Sequence, residues 1–289
     1  MKRAVFTICF MLINSVSHAL EITDATGHVV TLPKPAQRIV SLAPHITELL
    51  FSLEVGDRVV ATVAYSDYPE AAKRIPRIGG AEDVSIESVL AAQPDLVVAW
   101  EGGSSDALLA LIEATGIPVY RTMNRDMQSI TKGLMDLAIL TERQPLASQL
   151  IEKFDAELAA ITAKYHHKTR VSVFYQLWHE PLMTANKQQL ISEMISLCGG
   201  DNLFSERTEV VPQTSLESVV LLNPEIIIAP QQGSPANWTQ PWLAWPEVEA
   251  VAHGQLKTVN ADLTSRPTLR SSQGLSEVCQ LIDQARDFQ

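Results

Sequence analysis

The chain has 289 residues, a formal net charge of −11 and a hydrophobic fraction of 46%. This acidic balance argues against nucleic acid or an anionic membrane surface as a partner and suits a basic one. The sequence contains no Gly-x-Ser-x-Gly elbow, Walker loop, dinucleotide fingerprint or His-Glu-x-x-His pair. The motifs therefore favour a binding protein over an enzyme.

The amino terminus has the pattern of a secretory signal peptide. Lys2 and Arg3 precede an apolar run over 4–13, and small residues over 17–19 favour cleavage after Ala19. The run is too short for a spanning helix, which needs about 20 residues. Loss of Lys2 and Arg3 would change the formal charge from −11 to −13. We expect residues 1–19 to be removed and the rest to be soluble outside the cytoplasm.

The next part of the chain alternates apolar strands with short helices, as expected for an α/β unit. In open α/β sheets, ligands are usually held by the loops at strand ends. The loop from Tyr65 to Pro69, which is aromatic and polar, follows such a strand. The predicted elements are a strand over 38–44, a helix over 46–53, a strand over 59–64, a helix through Ala114 and a strand over 117–121.

One eighteen-residue stretch occurs twice, at 83–100 and at 213–230. Each copy has a serine N-cap, a short helix, a proline followed by an acidic residue, and a continuous apolar strand. Such strands belong to parallel sheets covered by helices. The repeat places Glu87 and Glu217 in the first turns of their helices, where a carboxylate favours the helix dipole. It predicts two similar lobes, each with an acidic group suited to docking.

Apolar spacings of three and four from 145 to about 166 predict one long helix. After it, a strand over 171–177, a loop around His179 and a helix over 190–197 mirror the first unit. A single linking helix argues against a large hinge closure. We expect two similar α/β lobes with mostly parallel sheets and a ligand cleft between them. The expected boundaries are 20–144 for the N-terminal lobe, 145–168 for the linking helix and 169–289 for the C-terminal lobe.

Two cysteines remain once Cys9 leaves with the signal peptide. An even pair in an oxidising compartment predicts a disulfide between Cys198 and Cys279. The alternative is two buried free thiols.

Aromatic residues concentrate in loops that should face the cleft, and aromatic rims suit a large flat ligand. Tyr65 and Trp100 directly follow predicted strands, and Trp178 lies in the corresponding loop of lobe two. Core packing is the favoured interpretation of Trp242 and Trp245. A metal shared by His45 and His179 is possible in principle, but we interpret them as histidines of the cleft wall and predict no metal site.

With these residues assembled, the chain resembles the periplasmic vitamin B12 receptors of cobalamin ABC importers, within the two-lobed, helix-linked class of binding proteins. The resemblance extends from about residue 38 to the last residues of the sequence. Its most specific motifs are Tyr65 with Ser66-Asp-Tyr-Pro69, the stretch 94–103, the stretch 198–202 and the stretch 212–217.

The resemblance implies a periplasmic receptor, monomeric when free, that carries cobalamin or a related corrinoid as cargo and needs no cofactor. It implies delivery to the permease and ATPase complex of the importer, with Glu87 and Glu217 pairing with permease arginines. It also implies the disulfide Cys198–Cys279. The implied ligand contacts are Tyr65, Trp100, and the second-lobe stretch Asp262, Leu263, Thr264, Ser265 and Arg266.

The chain departs from this family at several cleft positions. Cobalamin receptors have tryptophans where this chain has Ala81 and Val211, and an aromatic residue where it has Met183. Residues 263–265 replace a Trp-Phe-Glu sequence. We expect Trp178 to restore part of the stacking surface, and Met183 to offer a polarisable apolar contact.

Three other functions stay open on the sequence alone. A haem receptor would use Tyr65 or His179 as an axial ligand. A ferric-siderophore receptor would need several cleft arginines, for which Arg266 and Arg270 are candidates. A secreted metal-dependent enzyme would combine His45 and His179 with a carboxylate.

Overall fold

The computed structural model describes residues 19–80, 83–123, 125–231 and 237–288. The predicted signal peptide, apart from Ala19, lies outside these residues, as do Cys9 and Ala81. The described chain begins with an antiparallel hairpin of β1 (Leu20–Thr23) and β2 (Val29–Leu32).

The first lobe is built on a four-stranded parallel sheet. Its strands are β3 (Ile39–Ser41), β4 (Val59–Thr62), β5 (Leu96–Trp100) and β6 (Val119–Thr122), in the spatial order β4-β3-β5-β6. All of β3 and all of β5 except its last residue are buried, as expected for strands covered on both faces. The helices of this lobe are α1 (Pro44–Ser52), α2 (Ile86–Ala91) and α3 (Asp106–Ala114).

Two longer helices lie between the sheets in the chain: α4 (Met127–Thr141) and α5 (Gln144–Tyr165). The predicted long helix is confirmed as α5. No element was predicted for residues 122–144, so α4 is an addition. Its buried Ile130, Leu134 and Leu137 fall at helical spacing, a signal that could have identified it.

The second lobe repeats the architecture of the first, which confirms two similar lobes with parallel sheets. Its main sheet has the order β10-β7-β11-β12 and is entirely parallel, beside an antiparallel hairpin of β8 and β9. The strands are β7 (Val171–Tyr175), β8 (Trp178–His179), β9 (Leu182–Met183), β10 (Gly200–Asn202), β11 (Ile226–Pro230) and β12 (Leu256–Val259). The helices are α6 (Leu190–Leu197), α7 (Leu216–Leu222), α8 (Glu249–Ala252), α9 (Ala261–Thr264) and α10 (Ser271–Ala285).

The repeated sequence produces repeated contacts in both lobes. The hydroxyl of Ser85 accepts a hydrogen bond from the Ser88 N–H at 3.2 Å, and that of Ser215 accepts one from the Ser218 N–H at 3.2 Å. Both predicted N-caps are therefore confirmed. The acidic residue after each proline also has a structural role: Asp95 accepts from the Arg38 N–H at 2.9 Å, and Glu225 from the Ser172 N–H at 2.6 Å. These carboxylates join the repeat to the first strand of each sheet.

The core of lobe two contains the predicted disulfide and two of the tryptophans. Cys198 and Cys279 are bonded at 1.99 Å and join the end of α6 to α10, which confirms the pairing. Trp242 is 1% exposed and Trp238 is 7% exposed, so both belong to the core. The interpretation of Trp242 as a core residue is confirmed. Across the described parts of the chain, no helix has both the length and the hydrophobicity required to cross a bilayer.

Candidate ligand-binding site

Exposed aromatic rings lie at the carboxyl ends of the parallel strands in both lobes. Tyr65 is 79% exposed just beyond β4, Trp100 is 40% exposed at the end of β5, and Trp178 is 45% exposed just beyond β7. The carboxyl edge of an open α/β sheet is where ligands bind in such folds. The structure therefore places these three predicted residues at the expected edges.

The loop after β4 holds the ring of Tyr65 in solvent while the next residue is anchored in the core. Tyr65 has a φ of 63°, which is uncommon for a residue other than glycine. Ser66 is 1% exposed, its hydroxyl accepts from Thr62 at 2.8 Å, and its carbonyl accepts from Arg77 at 2.6 Å. This anchoring fixes the position of an otherwise exposed aromatic side chain.

The indole of Trp100 lies between a glycine and a buried histidine. A Cβ on Gly103 would be 2.0 Å from Cε3 of the indole, so only glycine allows this packing. On another side, the ring of His45 lies 5.5 Å from Trp100 at an interplanar angle of 88°. Contacts of this edge-to-face type are favourable for aromatic pairs. They hold Trp100 in one orientation at the end of β5.

His45 itself is 4% exposed, and its Nε2 has no hydrogen-bond partner among the residues described. Burial, followed by the positive charge of Arg266, lowers the pKa of His45 to about 3. The ring is therefore neutral at physiological pH. His179 is exposed on the β8–β9 hairpin. Among the described residues, no group of three or more His, Cys, Asp or Glu side chains is arranged so that it could hold a metal ion.

Trp178 and Met183 are directly opposed in the β8–β9 hairpin, so their side chains are cross-strand neighbours. The indole N–H of Trp178 donates to the carbonyl of Glu180 at 3.1 Å, and the ring centroid lies 5.4 Å from that of His179. Met183 is partly exposed. The hairpin therefore presents an aromatic and a sulfur-containing side chain together. Val211 is also partly buried.

The second-lobe stretch predicted to bind ligand is a helical turn rather than a loop. Asn260 caps α9 by accepting from the Asp262 N–H at 2.9 Å. Thr264 is 2% exposed and donates to the Asn260 carbonyl at 3.1 Å, so its hydroxyl is directed into the turn. Leu263 is partly exposed and Ser265 is exposed.

Each of the two cleft arginines pairs with a carboxylate of the opposite lobe. Arg266 pairs with Asp67 at 2.8 Å and with Asp262 at 3.0 Å. Burial opposes ionisation of Asp67, but the hydrogen bond and charge of Arg266 outweigh it and lower the pKa of this carboxyl. Arg270 binds both carboxylate oxygens of Glu48 at 2.6 Å.

Further contacts complete the cross-lobe network around Glu48. The Thr268 hydroxyl donates to this carboxylate at 2.7 Å, and the Arg270 guanidinium lies 3.7 Å from the centroid of the Tyr68 ring. Glu48 was not among the predicted site residues, and Asp67 was predicted only as part of the loop from Tyr65 to Pro69. No local signal could identify the cross-lobe pairing, since Glu48 and Arg270 are 222 residues apart in the chain.

The two acidic residues of the repeat are exposed in the first turns of α2 and α7. The pKa of Glu217 is lowered by a hydrogen bond from its own backbone N–H and then by the Ser215 hydroxyl. Glu87 and Glu217 therefore occupy equivalent positions, next to equivalent serine caps.

Proteins similar to this chain are named as binding proteins. A protein of Vibrio campbellii named Vitamin B12-binding protein is 34% identical over 253 residues, which are 87% of this chain and 91% of the relative. The crystal structure of the periplasmic vitamin B12 binding protein BtuF of Vibrio cholerae has a TM-score of 0.80 at 31% identity, covering 87% of this chain and 98% of that chain.

The fold is also shared with receptors of other named ligands. The haem-binding protein RhuT from Roseiflexus sp. RS-1 has a TM-score of 0.78 at 23% identity, covering 86% of this chain and 99% of that chain. At this identity the likeness concerns the fold alone. The family model described as periplasmic binding protein matches residues 39–273. Because this match spans most of the sequence, the chain belongs to the family of periplasmic binding proteins.

Proposed function

We propose that this protein is a periplasmic receptor that binds cobalamin or a related corrinoid and delivers it to an inner-membrane ABC importer. The observation that carries the proposal is the set of exposed rings of Tyr65, Trp100 and Trp178 at the carboxyl edges of both sheets. A corrin ring is large and flat, and aromatic side chains pack well against such a surface. The relatives named vitamin B12-binding protein support the same ligand.

In this proposal, the residues divide into aromatic or apolar contacts and polar contacts. Tyr65, Trp100, Trp178 and Met183 pack against the macrocycle. The edge of the macrocycle carries amides, which meet the turn of Asp262, Leu263, Ser265 and Arg266, while Thr264 shapes that turn from inside.

The protein has residues 1–19 as its signal peptide, lobes over 20–144 and 169–289, and the linking helix over 145–168. It is monomeric when free, and its corrinoid is cargo rather than a cofactor.

The proposal assigns Glu87 and Glu217 to docking on the permease of the importer, which works with its ATPase. Their exposure, their equivalent positions in the two lobes and the acidic charge of the chain support this role. Pairing with basic groups of a partner would steer association and fix its orientation.

Isothermal titration of residues 20–289 with cyanocobalamin, dicyanocobinamide and hemin tests the ligand. We expect tight one-to-one binding of a corrinoid. Trp100→Ala should weaken it about tenfold or more, a loss of about 1.4 kcal/mol, because the main flat contact of lobe one is removed. Leu243→Ala is the matched control, since Leu243 is 53% exposed at a position outside the proposed contacts. Binding of hemin without any corrinoid would replace the proposal with a haem receptor using Tyr65 or His179.

A further inference from the structure

Five charged side chains from both lobes form one cluster beside the proposed ligand contacts. Lobe one contributes Glu48 and Asp67, and lobe two contributes Asp262, Arg266 and Arg270. The pairs lie at 2.6 Å for Arg270 and Glu48, 2.8 Å for Arg266 and Asp67, and 3.0 Å for Arg266 and Asp262. Three carboxylates thus surround two guanidinium groups, and the formal charge of the cluster is negative.

Each cation of the cluster is largely buried and is already paired with at least one carboxylate. The Arg266 and Arg270 side chains are each 17% exposed, and Glu48 is 3% exposed. Arg270 binds Glu48 through two nitrogens, which is the strongest geometry for such a pair. The neighbouring Arg77 donates to the backbone carbonyls of Ala72, Ile75 and Ser66.

A ligand carboxylate entering this region would meet net negative charge. To take the charge-paired positions on either guanidinium, it would have to displace a carboxylate such as Asp67 or Glu48, which leaves a protein carboxylate without its partner in a partly buried position. A ligand edge made of neutral amides has no such cost, because it carries no negative charge and displaces no carboxylate from its arginine.

We propose that Asp67 and Glu48 determine ligand specificity by occupying Arg266 and Arg270 across the cleft. The cluster then accepts a neutral or cationic, amide-edged macrocycle and rejects a macrocycle that carries carboxylates. This inference rests on the proposed function, because it concerns the same cleft. Two carboxylates of lobe one, which do not pack against the face of the macrocycle, thus determine which macrocycle binds.

Asp67→Asn is the direct test, since it leaves Arg266 with only one carboxylate partner. Asp67 is half-exposed, with 47% of its side chain accessible, so the variant should fold, and its melting curve checks this. We expect the Kd for hemin, whose propionates are carboxylates, to decrease about tenfold or more, equivalent to about 1.4 kcal/mol. The Kd for dicyanocobinamide should change by less than about threefold. Asp57→Asn, the same charge change at an exposed lobe-one position, should leave both values unchanged.

A second variant identifies the group that captures hemin. In Asp67→Asn/Arg266→Gln, the gained hemin affinity should disappear, because the freed guanidinium is gone. Unchanged hemin binding in folded Asp67→Asn would overturn the specificity proposal while leaving corrinoid binding intact. Wild-type protein that binds no corrinoid would instead overturn the proposed function. These two failures are therefore distinguishable in one set of titrations.

Discussion

His45 is a buried histidine beside Trp100, and its burial predicts an acid sensitivity of the fold. Burial and then the charge of Arg266 lower its pKa in the folded protein from 6.5 to about 3. In the unfolded chain the ring binds a proton near pH 6.5. The unfolded state therefore gains protons first as the pH falls. We expect this residue to reduce the free energy of unfolding by about 1.4 kcal/mol per pH unit below pH 6.5, measured by urea denaturation.

His45→Leu removes the titrating ring and should make this pH dependence shallower by about 1.4 kcal/mol per unit. His28→Leu, at an exposed histidine, should leave the slope as in wild type. Asp67 has a lowered pKa because its pairing with Arg266 outweighs burial, so its stabilisation is lost only below about pH 4. The difference between wild type and His45→Leu from about pH 7 to 4.5 therefore reports the histidine, because other groups, such as Glu193 with its pKa raised by burial, are present in both proteins. Equal slopes in wild type and His45→Leu would contradict the prediction.

Single residues were predictable where the signal is local. Ser85 and Ser215 were identified as N-caps because the capping interaction spans only three residues. The pair of Glu48 and Arg270 was not, because nothing in the sequence around either residue indicates a partner in the other lobe. Arg270 was considered as a contact for a ferric siderophore, whereas in the structure it pairs with Glu48.

The disulfide joins two helices of lobe two, so its removal tests stability at the scale of elements. Cys198 and Cys279 are fully buried and 81 residues apart. In the chain-entropy account, a cross-link of this span lowers the entropy of the unfolded chain and so raises its free energy by about 4 kcal/mol. We expect the double variant Cys198→Ala/Cys279→Ala to lose about 3 to 5 kcal/mol in urea denaturation.

Reductant provides the control for this prediction. Without reductant, the wild type should have the higher free energy of unfolding. In excess dithiothreitol, most of this difference from the double variant should disappear, and what remains should reflect only the truncated side chains. Equal stability of the two proteins without reductant would show that the cross-link contributes little to folding.

Elements with strong periodicity were predictable, and a single helical turn was less so. The predicted helix over 190–197 agrees with α6, and the long helix agrees closely with α5. The turn α9 was treated as part of a loop because its four residues are too short for a periodic signal. The cap by Asn260 specifies it, together with the polar residues that follow.

At the scale of the whole molecule, the duplication gives each lobe one exposed glutamate on an equivalently capped helix. The lobes are joined by α5 and by the pairs of Arg270 with Glu48 and Arg266 with Asp67. Two acidic groups on a well-connected body can bind a two-site basic partner together. The second contact then forms at high effective concentration, so each contact can be weak on its own.

Charge reversal of the two glutamates tests the proposed docking on the importer. Glu87→Arg and Glu217→Arg should each reduce the stimulation of the importer ATPase strongly, and the double variant should abolish it, because basic groups would then face basic groups. The Kd for corrinoid should stay within about twofold of wild type, since both residues lie outside the proposed contacts. Glu152→Arg, at an exposed position on α5, is the matched control and should leave stimulation unchanged. Loss of corrinoid binding in both single variants, or full stimulation by the double variant, would remove the docking assignment.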